Sequence, residues 1–568
     1  MYIVGLHNDE DSGVCLLKDG ILLDAISEER LNRTKLYKGP PKLSLQYILE
    51  RHKLNLEDIN YFAYGWHGEE NNCTEYAIRL EKRIIHAINN NPKASKIIED
   101  RIDVEYKNDT ETVARFKEWA SELGIPSKKI VFLDHHKSHA WSAFCPSPFC
   151  EAIVFTFDGR GDLKSASVSL ATQSEGIKEY DYLLTLDSLG YLYGKITNYL
   201  GFTPHRHEGK VTGLAAYGDY SKTLPLFNRL ISWEGDTITA NLGFYKPFHS
   251  LRQELIDELD KFSRNDIASG VQKHCENLIV KYIKKWVKKI NRPEIKNVCL
   301  AGGVFANVKI NQRVSEIEGV DNIYVFPHMG DGGLPVGGAC HLNYLLTGQT
   351  KIDMPTVYLG NQYSNDEISN ALEIYIDKIV YEKLNEKVNK VVDDLIDNKV
   401  VGYFDNKMEY GPRALGARSI LYHARDKNVN DWLNKRLKRS EFMPFAPVTP
   451  IEYADKCYNN WNKNDVCSFF MTKTYNCTEE FRSVHKAVVH VDNTARPQVV
   501  TDKLNGNFYK VTKLYCDKTG EKALINTSFN QHEEPIVCTV KDAVESLLMG
   551  SIDVLYLGHY RVWNNKKC

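Results

Sequence analysis

The feature that most constrains the fold is a strand, acidic turn and hairpin that occurs twice in the chain. The first copy has an apolar strand at residues 2–6, a polar turn at 8–13 and then a hairpin pattern. The second copy has an apolar strand at 152–157, a glycine-rich acidic turn at 158–161 and a second hairpin pattern. Helical sequence separates the two copies. A repeated unit of this kind predicts an internally duplicated domain.

This repeat is typical of actin-like and hexokinase-like α/β folds. In such folds the paired turns face each other across a nucleotide cleft, where backbone N–H groups hold phosphates. A further strand-to-helix turn carries Gly302, Gly303 and Asn307. The two glycines would let the backbone approach a ligand such as adenosine, although a tight packing turn has the same pattern.

A change of sequence character near residue 350 predicts a domain boundary. The stretch around residues 346–355 has the composition of a linker, and the chain beyond it alternates helical and strand patterns. We therefore expect a duplicated actin-like domain over residues 1–350 and a mixed α/β domain over residues 351–568.

Composition narrows the classes of function. The 568 residues exceed one compact core, and a net charge of -2 without a basic block gives no support for nucleic acid as a partner. No apolar run is long enough for a membrane span, and the N-terminus lacks the basic region of a signal peptide. The 13 cysteines show no CxxC spacing, which indicates reduced thiols. We expect a soluble, cytoplasmic, multidomain protein with neither nucleic acid nor membrane as a partner.

A metal site is predicted from two histidines and two aspartates. His135 and His139 are four residues apart, so one helical face would present both. Asp158 and Asp331 each follow an apolar strand pattern at a glycine turn. Two imidazoles and two carboxylates suit Fe²⁺, Mn²⁺ or Zn²⁺. A pair of structural helix histidines is the alternative.

The second domain contains basic side chains and strand-end polar groups that suit an anion. Arginines near glycine or proline turns can bind phosphate in a bidentate manner, and strand-end hydroxyls and amides can complete a pocket for ATP phosphates and a small oxyanion. Each arginine taken alone is more often a solvated surface group. The predicted set is Arg413, Arg418, Lys438, Arg439, Arg496, Asn526, Ser528 and Asn530.

Six motifs in one order give the chain a family resemblance. They are SEERLNRTK at 27–35, HHKSHA at 135–140, DGRG at 158–161, HEGKVTGLA at 207–215, EYGPRALGARSIL at 409–421 and NTSFNQHEEPIV at 526–537. The chain resembles O-carbamoyltransferases of the antibiotic and nodulation type over essentially its full length.

The resemblance implies a two-part enzyme. A YrdC-like C-terminal domain would make carbamoyl-adenylate from carbamoyl phosphate and ATP, the latter with Mg²⁺, and would release phosphate and pyrophosphate. The actin-like domain would bind the adenylate at its metal, with iron as the first expectation, and pass the carbamoyl group to a hydroxyl. By similarity, Glu208 and Lys210 would bind nucleotide or substrate, and Lys35 would stabilise developing negative charge near the acceptor.

The chain departs from the family pattern at two places. The family usually has a histidine in the first turn, thought to be the base for the acceptor hydroxyl, and the aligned residue here is Glu10. Either Glu10 takes that role, or the nearby His7 does, or the acceptor differs. Many members also have an arginine where this chain has Met443, so that one anion contact is missing or comes from Arg439.

Other readings of the sequence are an actin-like small-molecule kinase or ATPase, a protein related to tRNA threonylcarbamoylation, and a nucleotide-binding scaffold. The kinase leaves the arginine-rich domain unexplained, and the near-neutral charge disfavours the tRNA protein. We expect a small-molecule hydroxyl acceptor, which the sequence does not name, and leave a homodimer open.

Overall fold

The computed structural model describes residues 1–66, 73–90, 94–245, 250–290, 292, 294–354, 356–438 and 444–565. By their internal contacts they form two compact units, Met1–Leu23 with Lys38–Asp353 (unit 1) and Asp24–Tyr37 with Met354–Cys568 (unit 2). The early segment of unit 2 contains the short helix α1 (Glu29–Asn32).

Unit 1 is a mixed α/β structure. Its strands are β1 (Tyr2–His7), β2 (Gly13–Lys18), β3 (Ile21–Ser27, which runs into unit 2), β4 (Tyr61–Tyr64), β5 (Ile130–Phe132), β6 (Glu151–Gly161), β7 (Lys164–Thr172), β8 (Gly176–Leu184), β9 (Ile231–Glu234), β10 (Thr237–Ala240), β11 (Asn297–Ala301) and β12 (Asn322–Val325). Its helices are α2 (Lys42–His52), α3 (Cys73–Asn90), α4 (Ala94–Glu122), α5 (His135–Phe144), α6 (Leu189–Tyr199), α7 (Glu208–Ala215), α8 (Leu224–Leu230), α9 (Gln253–Leu259), α10 (Arg264–Ile290), α11 (Val308–Ser315) and α12 (Leu334–Thr347).

Two five-stranded sheets of unit 1 have the same strand order. One runs β3-β2-β1-β4-β5 and the other β8-β7-β6-β11-β12. In each, the central strand (β1 or β6) pairs antiparallel with the next strand of the chain and parallel with a later one. The central strands are buried over most of their length, as expected for apolar strands covered on both faces. The two predicted strand, acidic turn and hairpin units thus lie at matching places in two sheets.

Close packing of α5 against α12 fixes the helix that carries the paired histidines. A side chain at Gly337 of α12 would place its Cβ 1.9 Å from the carbonyl oxygen of Ser138, so only glycine permits this approach. In the part of the chain that the structure describes, no helix is both long and apolar enough to cross a bilayer.

Unit 2 is built around one eight-stranded mixed sheet of order β13-β22-β21-β14-β15-β20-β16-β19. A separate two-stranded sheet pairs β17 with β18. The strands of unit 2 are β13 (Ile379–Lys383), β14 (Val401–Phe404), β15 (Arg418–His423), β16 (Ala446–Pro450), β17 (Tyr475–Asn476), β18 (Thr494–Ala495), β19 (Gln498–Val500), β20 (Leu524–Ser528), β21 (Val554–Leu557) and β22 (Tyr560–Asn564). Its remaining helices are α13 (Asn365–Glu373), α14 (Val388–Ile396), α15 (Val429–Arg436), α16 (Ile451–Cys457), α17 (Glu479–Val484), α18 (Asp502–Asn505), α19 (Asn507–Thr519) and α20 (Val540–Leu548).

Arginines fasten the early segment to unit 2. Arg30 donates a hydrogen bond to the carbonyl of Gly411 (2.9 Å), and Arg33 donates to the carbonyls of Ile536 (2.8 Å) and Pro535 (2.9 Å). These acceptor carbonyls lie in the motifs at 409–421 and 526–537, which is why the segment belongs to unit 2. The predicted α/β class is confirmed, with mixed sheets in both units.

Candidate metal centre and anion site

Four predicted metal ligands converge in unit 1. Helix α5 begins just before the first histidine, because Asp134 caps it by accepting a hydrogen bond from the backbone N–H of Lys137 (2.8 Å). One face of that helix then presents His135 and His139. Asp158 comes from β6 and Asp331 from the turn before α12, and one ligand atom of each of the four residues lies within 4.8 Å of the others.

The ligand atoms lie close together, but their geometry does not suit direct hydrogen bonds. His139 Nε2 lies 3.0 Å from Asp158 Oδ2 and 3.3 Å from Asp331 Oδ1, and His135 Nε2 lies 3.7 Å from the same two oxygens. Yet neither buried Nε2 atom makes a hydrogen bond with acceptable geometry among the described residues. Two orphaned imidazole nitrogens facing two carboxylates fit a divalent metal ion.

The electrostatics of the cluster support this assignment. Burial lowers the pKa of His139, but the adjacent Asp158 and Asp331 outweigh burial and raise it to about 9. Burial raises the pKa of Asp158, whereas His135 and His139 hold it well below the ordinary value. The Asp158 carboxylate is therefore ionised and ready to accept a cation.

Backbone groups and an aromatic ring hold the ligands in place. Asp158 accepts hydrogen bonds from the N–H groups of Gly159 (2.6 Å) and Gly303 (3.3 Å). The His135 ring packs edge-on against Trp66, with 4.4 Å between ring centroids. A Cβ at Gly161 would lie 2.1 Å from that imidazole, so glycine is required there.

The first acidic turn lies beside Asp331. His7 Nε2 donates a hydrogen bond to the carbonyl of Glu10 (3.1 Å) and lies 3.9 Å from Asp331 Oδ2. The His7 side chain is fully buried, so it cannot reach an acceptor in this conformation. The Glu10 side chain is 37% exposed, and its Oε2 lies 3.4 Å from Nδ1 of His205. Of the two bases considered for the acceptor hydroxyl, only Glu10 is accessible.

The residues predicted to bind nucleotide have more varied surroundings. Gly302 has φ 99°, and a Cβ there would lie 2.2 Å from the carbonyl oxygen of Phe157. Asn307 caps α11 by accepting from the N–H groups of Lys309 and Ile310, both at 3.2 Å. The side-chain oxygen of Asn307 therefore caps the helix, as is usual for an N-cap residue.

Glu208 and Lys210 both lie in α7. The carboxylate of Glu208 accepts a hydrogen bond from the backbone N–H of His205 (2.7 Å), and the Lys210 side chain is buried. Glu208 therefore shapes the loop before α7, and whether either residue contacts nucleotide stays a prediction.

An uncompensated pair of arginines lies in unit 2. Burial lowers the pKa of Arg413 to about 10, and burial together with the charge of Arg413 lowers the pKa of Arg496 well below its ordinary value. The buried Nε of Arg413 has no hydrogen-bond partner among the described residues. Two neighbouring cations that no carboxylate among the described residues offsets favour an anion between or beside them.

Three side chains shape the loop that carries Arg413. Glu409 accepts from the N–H groups of Leu415 (2.7 Å) and Arg418 (3.2 Å). Asn526 donates to the carbonyl of Ala414 (3.1 Å), and Gln498 donates to that of Leu415 (2.7 Å). Asn526, predicted to contact substrate, is a buried support of this loop.

Arg418 makes structural contacts in unit 2, and its predicted role in substrate binding stays a prediction. Its side chain is fully buried and stacks on Phe404, 3.6 Å from the ring centroid. It donates hydrogen bonds to four backbone carbonyls, those of Asn361, Asp405, Asn406 and Ala417. These bonds use Nη1 and Nη2, so Arg418 holds a turn, and its buried Nε has no hydrogen-bond partner among the described residues.

The other predicted residues of unit 2 are more scattered. Ser528 ends β20 opposite Ser419, and Asn530 donates to the carbonyl of Glu534 (2.6 Å). Lys438 is exposed just after α15. Lys35 belongs to the early segment of unit 2. Arg439 and Met443 lie outside the described residues.

Sequence reasoning missed several side chains around these sites. Trp66 and Gln498 carry no motif and are recognisable only by their contacts. His205 lies two residues before the HEGK motif, and its position in a Pro-His-Arg-His stretch is the one signal that could have singled it out.

Comparison with known proteins places the chain in a family. Residues 2–340 match the model of the carbamoyltransferase N-terminus, and residues 392–564 match that of the carbamoyltransferase C-terminus. Uncharacterized protein MJ1051 of Methanocaldococcus jannaschii is 32% identical over 99% of each chain. Nodulation protein NolNO of Sinorhizobium fredii is 30% identical, and the match covers 97% of this chain and 78% of NolNO. Nodulation protein U of the same species is 24% identical, and the match covers 94% of both chains.

These matches confirm the O-carbamoyltransferase resemblance seen in the motifs. The two family segments together span most of the chain, in the order N-terminus then C-terminus. The protein belongs to the carbamoyltransferase family and is a carbamoyltransferase.

Proposed function

We propose that the protein is an ATP- and carbamoyl phosphate-dependent O-carbamoyltransferase with two chemical steps. Unit 2, as a YrdC-like domain, first hydrolyses carbamoyl phosphate with one water to carbamate and phosphate. A carbamate oxygen then attacks the α-phosphate of ATP, giving carbamoyl-adenylate and releasing pyrophosphate. Unit 1, as an actin-like domain, passes the carbamoyl group to a small-molecule hydroxyl and releases AMP.

The observation that carries this proposal is the arginine pair of unit 2. Arg413 and Arg496 are half-buried and repel each other, and no described carboxylate offsets them. Carbamoyl phosphate and ATP phosphates are the oxyanions that the first step needs, and a bidentate guanidinium is the side chain best suited to bind them. Glu409, Gln498 and Asn526 preorganise the loop that presents Arg413.

His135, His139, Asp158 and Asp331 would hold the metal ion of the second step. When bound, such an ion supplies Lewis acidity toward a phosphate or carbonyl oxygen. The N–H groups of Gly159 and Gly303 orient Asp158, and Trp66 covers one side of His135 and excludes water there. Fe²⁺, Mn²⁺ and Zn²⁺ all suit this donor set, with iron proposed from the family resemblance.

Nucleotide analysis tests the proposal directly. Purified protein given carbamoyl phosphate, MgATP and no acceptor should release pyrophosphate, and chromatography should detect AMP rather than ADP as nucleotide product. A kinase or ATPase would produce ADP. Detection of ADP without AMP or pyrophosphate would contradict the proposed first step.

A further inference from the structure

An imidazole and a carboxylate meet at the first acidic turn, where His7 lies beside Asp331 of the metal cluster. Nδ1 of His205 lies 3.4 Å from Oε2 of Glu10, at ion-pair distance, and their side chains are 59% and 37% exposed. The two residues come from different loops of unit 1, one after β1 and one before α7. With Nδ1 facing the carboxylate, Nε2 of His205 is the ring nitrogen left for a substrate.

The loop of His205 is held in an uncommon conformation. His205 has φ 65°, in the left-handed region that few non-glycine residues adopt. Its backbone N–H donates to the Glu208 carboxylate (2.7 Å), and the N–H of Thr203 donates to Nδ1 of His207 (3.1 Å). A strained residue persists where its surroundings fix it, and such residues concentrate at functional sites.

Glu10 connects this pair to the cluster. The N–H of Glu10 donates to Asp9 Oδ1 (2.8 Å), and Asp9 is paired with Lys38 (2.8 Å). The Glu10 carbonyl accepts from His7, which in turn lies 3.9 Å from Asp331. Burial, then the charges of Asp331 and Asp9, raise the pKa of Glu10 against the opposing effect of His205 and Lys38. A nearby imidazole therefore stabilises the ionised form of Glu10.

We infer that His205 is the catalytic base for the acceptor hydroxyl and that Glu10 is its positioning residue. This inference rests on the proposed function and assigns the proton transfer of its second step. The acceptor oxygen forms a bond to the carbamoyl carbon while its proton moves to Nε2 of His205. The bond between that carbon and the AMP phosphate oxygen breaks, and AMP leaves with the electron pair. The Glu10 carboxylate, at ion-pair distance from Nδ1, stabilises the resulting imidazolium, as a carboxylate does in other base–orienter pairs.

The arrangement explains how a chain with glutamate in its first turn can still use an imidazole. The turn supplies the carboxylate, and the loop before α7 supplies the ring. Because the ring is more than half exposed, it can reach a hydroxyl compound that enters from solvent, which the fully buried His7 cannot.

Removal of the ring and its replacement from solution test the inference. We would measure AMP and pyrophosphate release by the metal-loaded full chain, with carbamoyl phosphate, MgATP and methanol as the simplest hydroxyl acceptor. His205→Ala should lower AMP release by about 10²-fold or more, the usual scale of general-base catalysis, with little change in metal content. Pyrophosphate formation in a single turnover should be unchanged. Added imidazole should restore AMP release, because an exposed site can admit the free base.

The matched control is His86→Ala. His86 forms a similarly exposed pair with Glu234 (2.8 Å) in the same unit and should leave both releases unchanged. His205→Gln should be as impaired as His205→Ala, since an amide cannot act as a base. Glu10→Gln alone should lower AMP release, but adding it to His205→Ala should have little further effect. Glu10→Asp, which keeps a carboxylate, should lower AMP release less than Glu10→Gln does.

Distinct outcomes separate this inference from the proposed function. If wild-type protein forms no pyrophosphate, the proposed function itself fails. If pyrophosphate forms but His205→Ala releases AMP at the wild-type rate, or imidazole restores nothing, His205 is not the base. A third outcome would also overturn the inference: wild-type protein forms pyrophosphate but passes the carbamoyl group neither to methanol nor to water. A base as exposed as His205 should activate such a small hydroxyl.

Discussion

The candidate sites of the two units have opposite electrostatic needs. In unit 1, two imidazoles face two carboxylates, so the protein partly compensates its own charges and lacks only a cation among them. In unit 2, Arg413 and Arg496 repel each other and lack an anion. The unit 1 site therefore balances most of its own charge, whereas the repulsion between Arg413 and Arg496 lowers the stability of unit 2 unless an oxyanion binds. Substitutions should reveal this difference, because they should affect activity and stability in different proportions.

The largest effect should come from His139→Ala. Loss of one of four ligands should remove the metal ion and lower carbamoyl transfer by about 10³-fold or more, since Lewis-acid stabilisation is worth several kcal/mol. Pyrophosphate release should remain near wild type, because Arg413 and Arg496 lie in the other unit. Metal analysis and product chromatography measure the two effects.

His274→Ala is the matched control for that prediction. His274 is another buried helical imidazole of unit 1, bonded through Nδ1 to Asn228 (3.1 Å) and outside the metal cluster. Its loss should lower thermal stability without loss of metal. Equal loss of pyrophosphate release and transfer in His139→Ala would contradict the division of the two steps between the units.

Arg418→Met should reduce stability more than it changes chemistry. The substitution leaves four backbone carbonyls without their buried donor, at a cost on the order of 3 kcal/mol in the free energy of unfolding. Denaturant unfolding measures the change. If Arg418→Met instead leaves stability unchanged and raises the KM for carbamoyl phosphate, then Arg418 binds the anion and its backbone contacts are incidental.

Arg496→Met should change the chemistry more than it changes stability. Removing one of two neighbouring half-buried cations should leave the free energy of unfolding unchanged or raise it by about 1 kcal/mol. Pyrophosphate formation should fall by about 10²-fold, the scale seen when one preorganised anion-stabilising donor is lost. Inorganic phosphate should raise the melting temperature of wild type more than that of the variant. A variant that is both less stable and fully active would exclude an anion site at Arg496.

The sequence predicted the metal ligands better than the anion site, for physical reasons. A helical spacing of four determines that His135 and His139 share a face, and strand-end turns bring Asp158 and Asp331 to one edge. The role of an arginine depends instead on which neighbours surround it. Arg413 and Arg418 belong to one motif, and both have a buried Nε without a hydrogen-bond partner among the described residues, yet Arg418 also donates to four backbone carbonyls through Nη1 and Nη2.

Long-range pairing was also beyond the sequence. The meeting of Glu10 with His205 depends on how two loops almost two hundred residues apart pack in unit 1, and no periodicity encodes that. The repeated strand, turn and hairpin, by contrast, is a local pattern, and it correctly predicted β1–β3 and β6–β8.

The smallest predicted effect concerns Asn307, which the sequence assigned to nucleotide binding. Its oxygen accepts from the N–H groups of Lys309 and Ile310, and its amide donates to Gln272 (2.7 Å) and Thr212 (3.1 Å). Asn307→Ala should lower the free energy of unfolding by about 1 kcal/mol, the usual cost of a lost N-cap. Asn307→Ser, which keeps a capping oxygen, should recover most of that loss. If the alanine variant is as stable as wild type but loses affinity for adenine nucleotides in a binding titration, Asn307 contacts nucleotide and the cap is incidental.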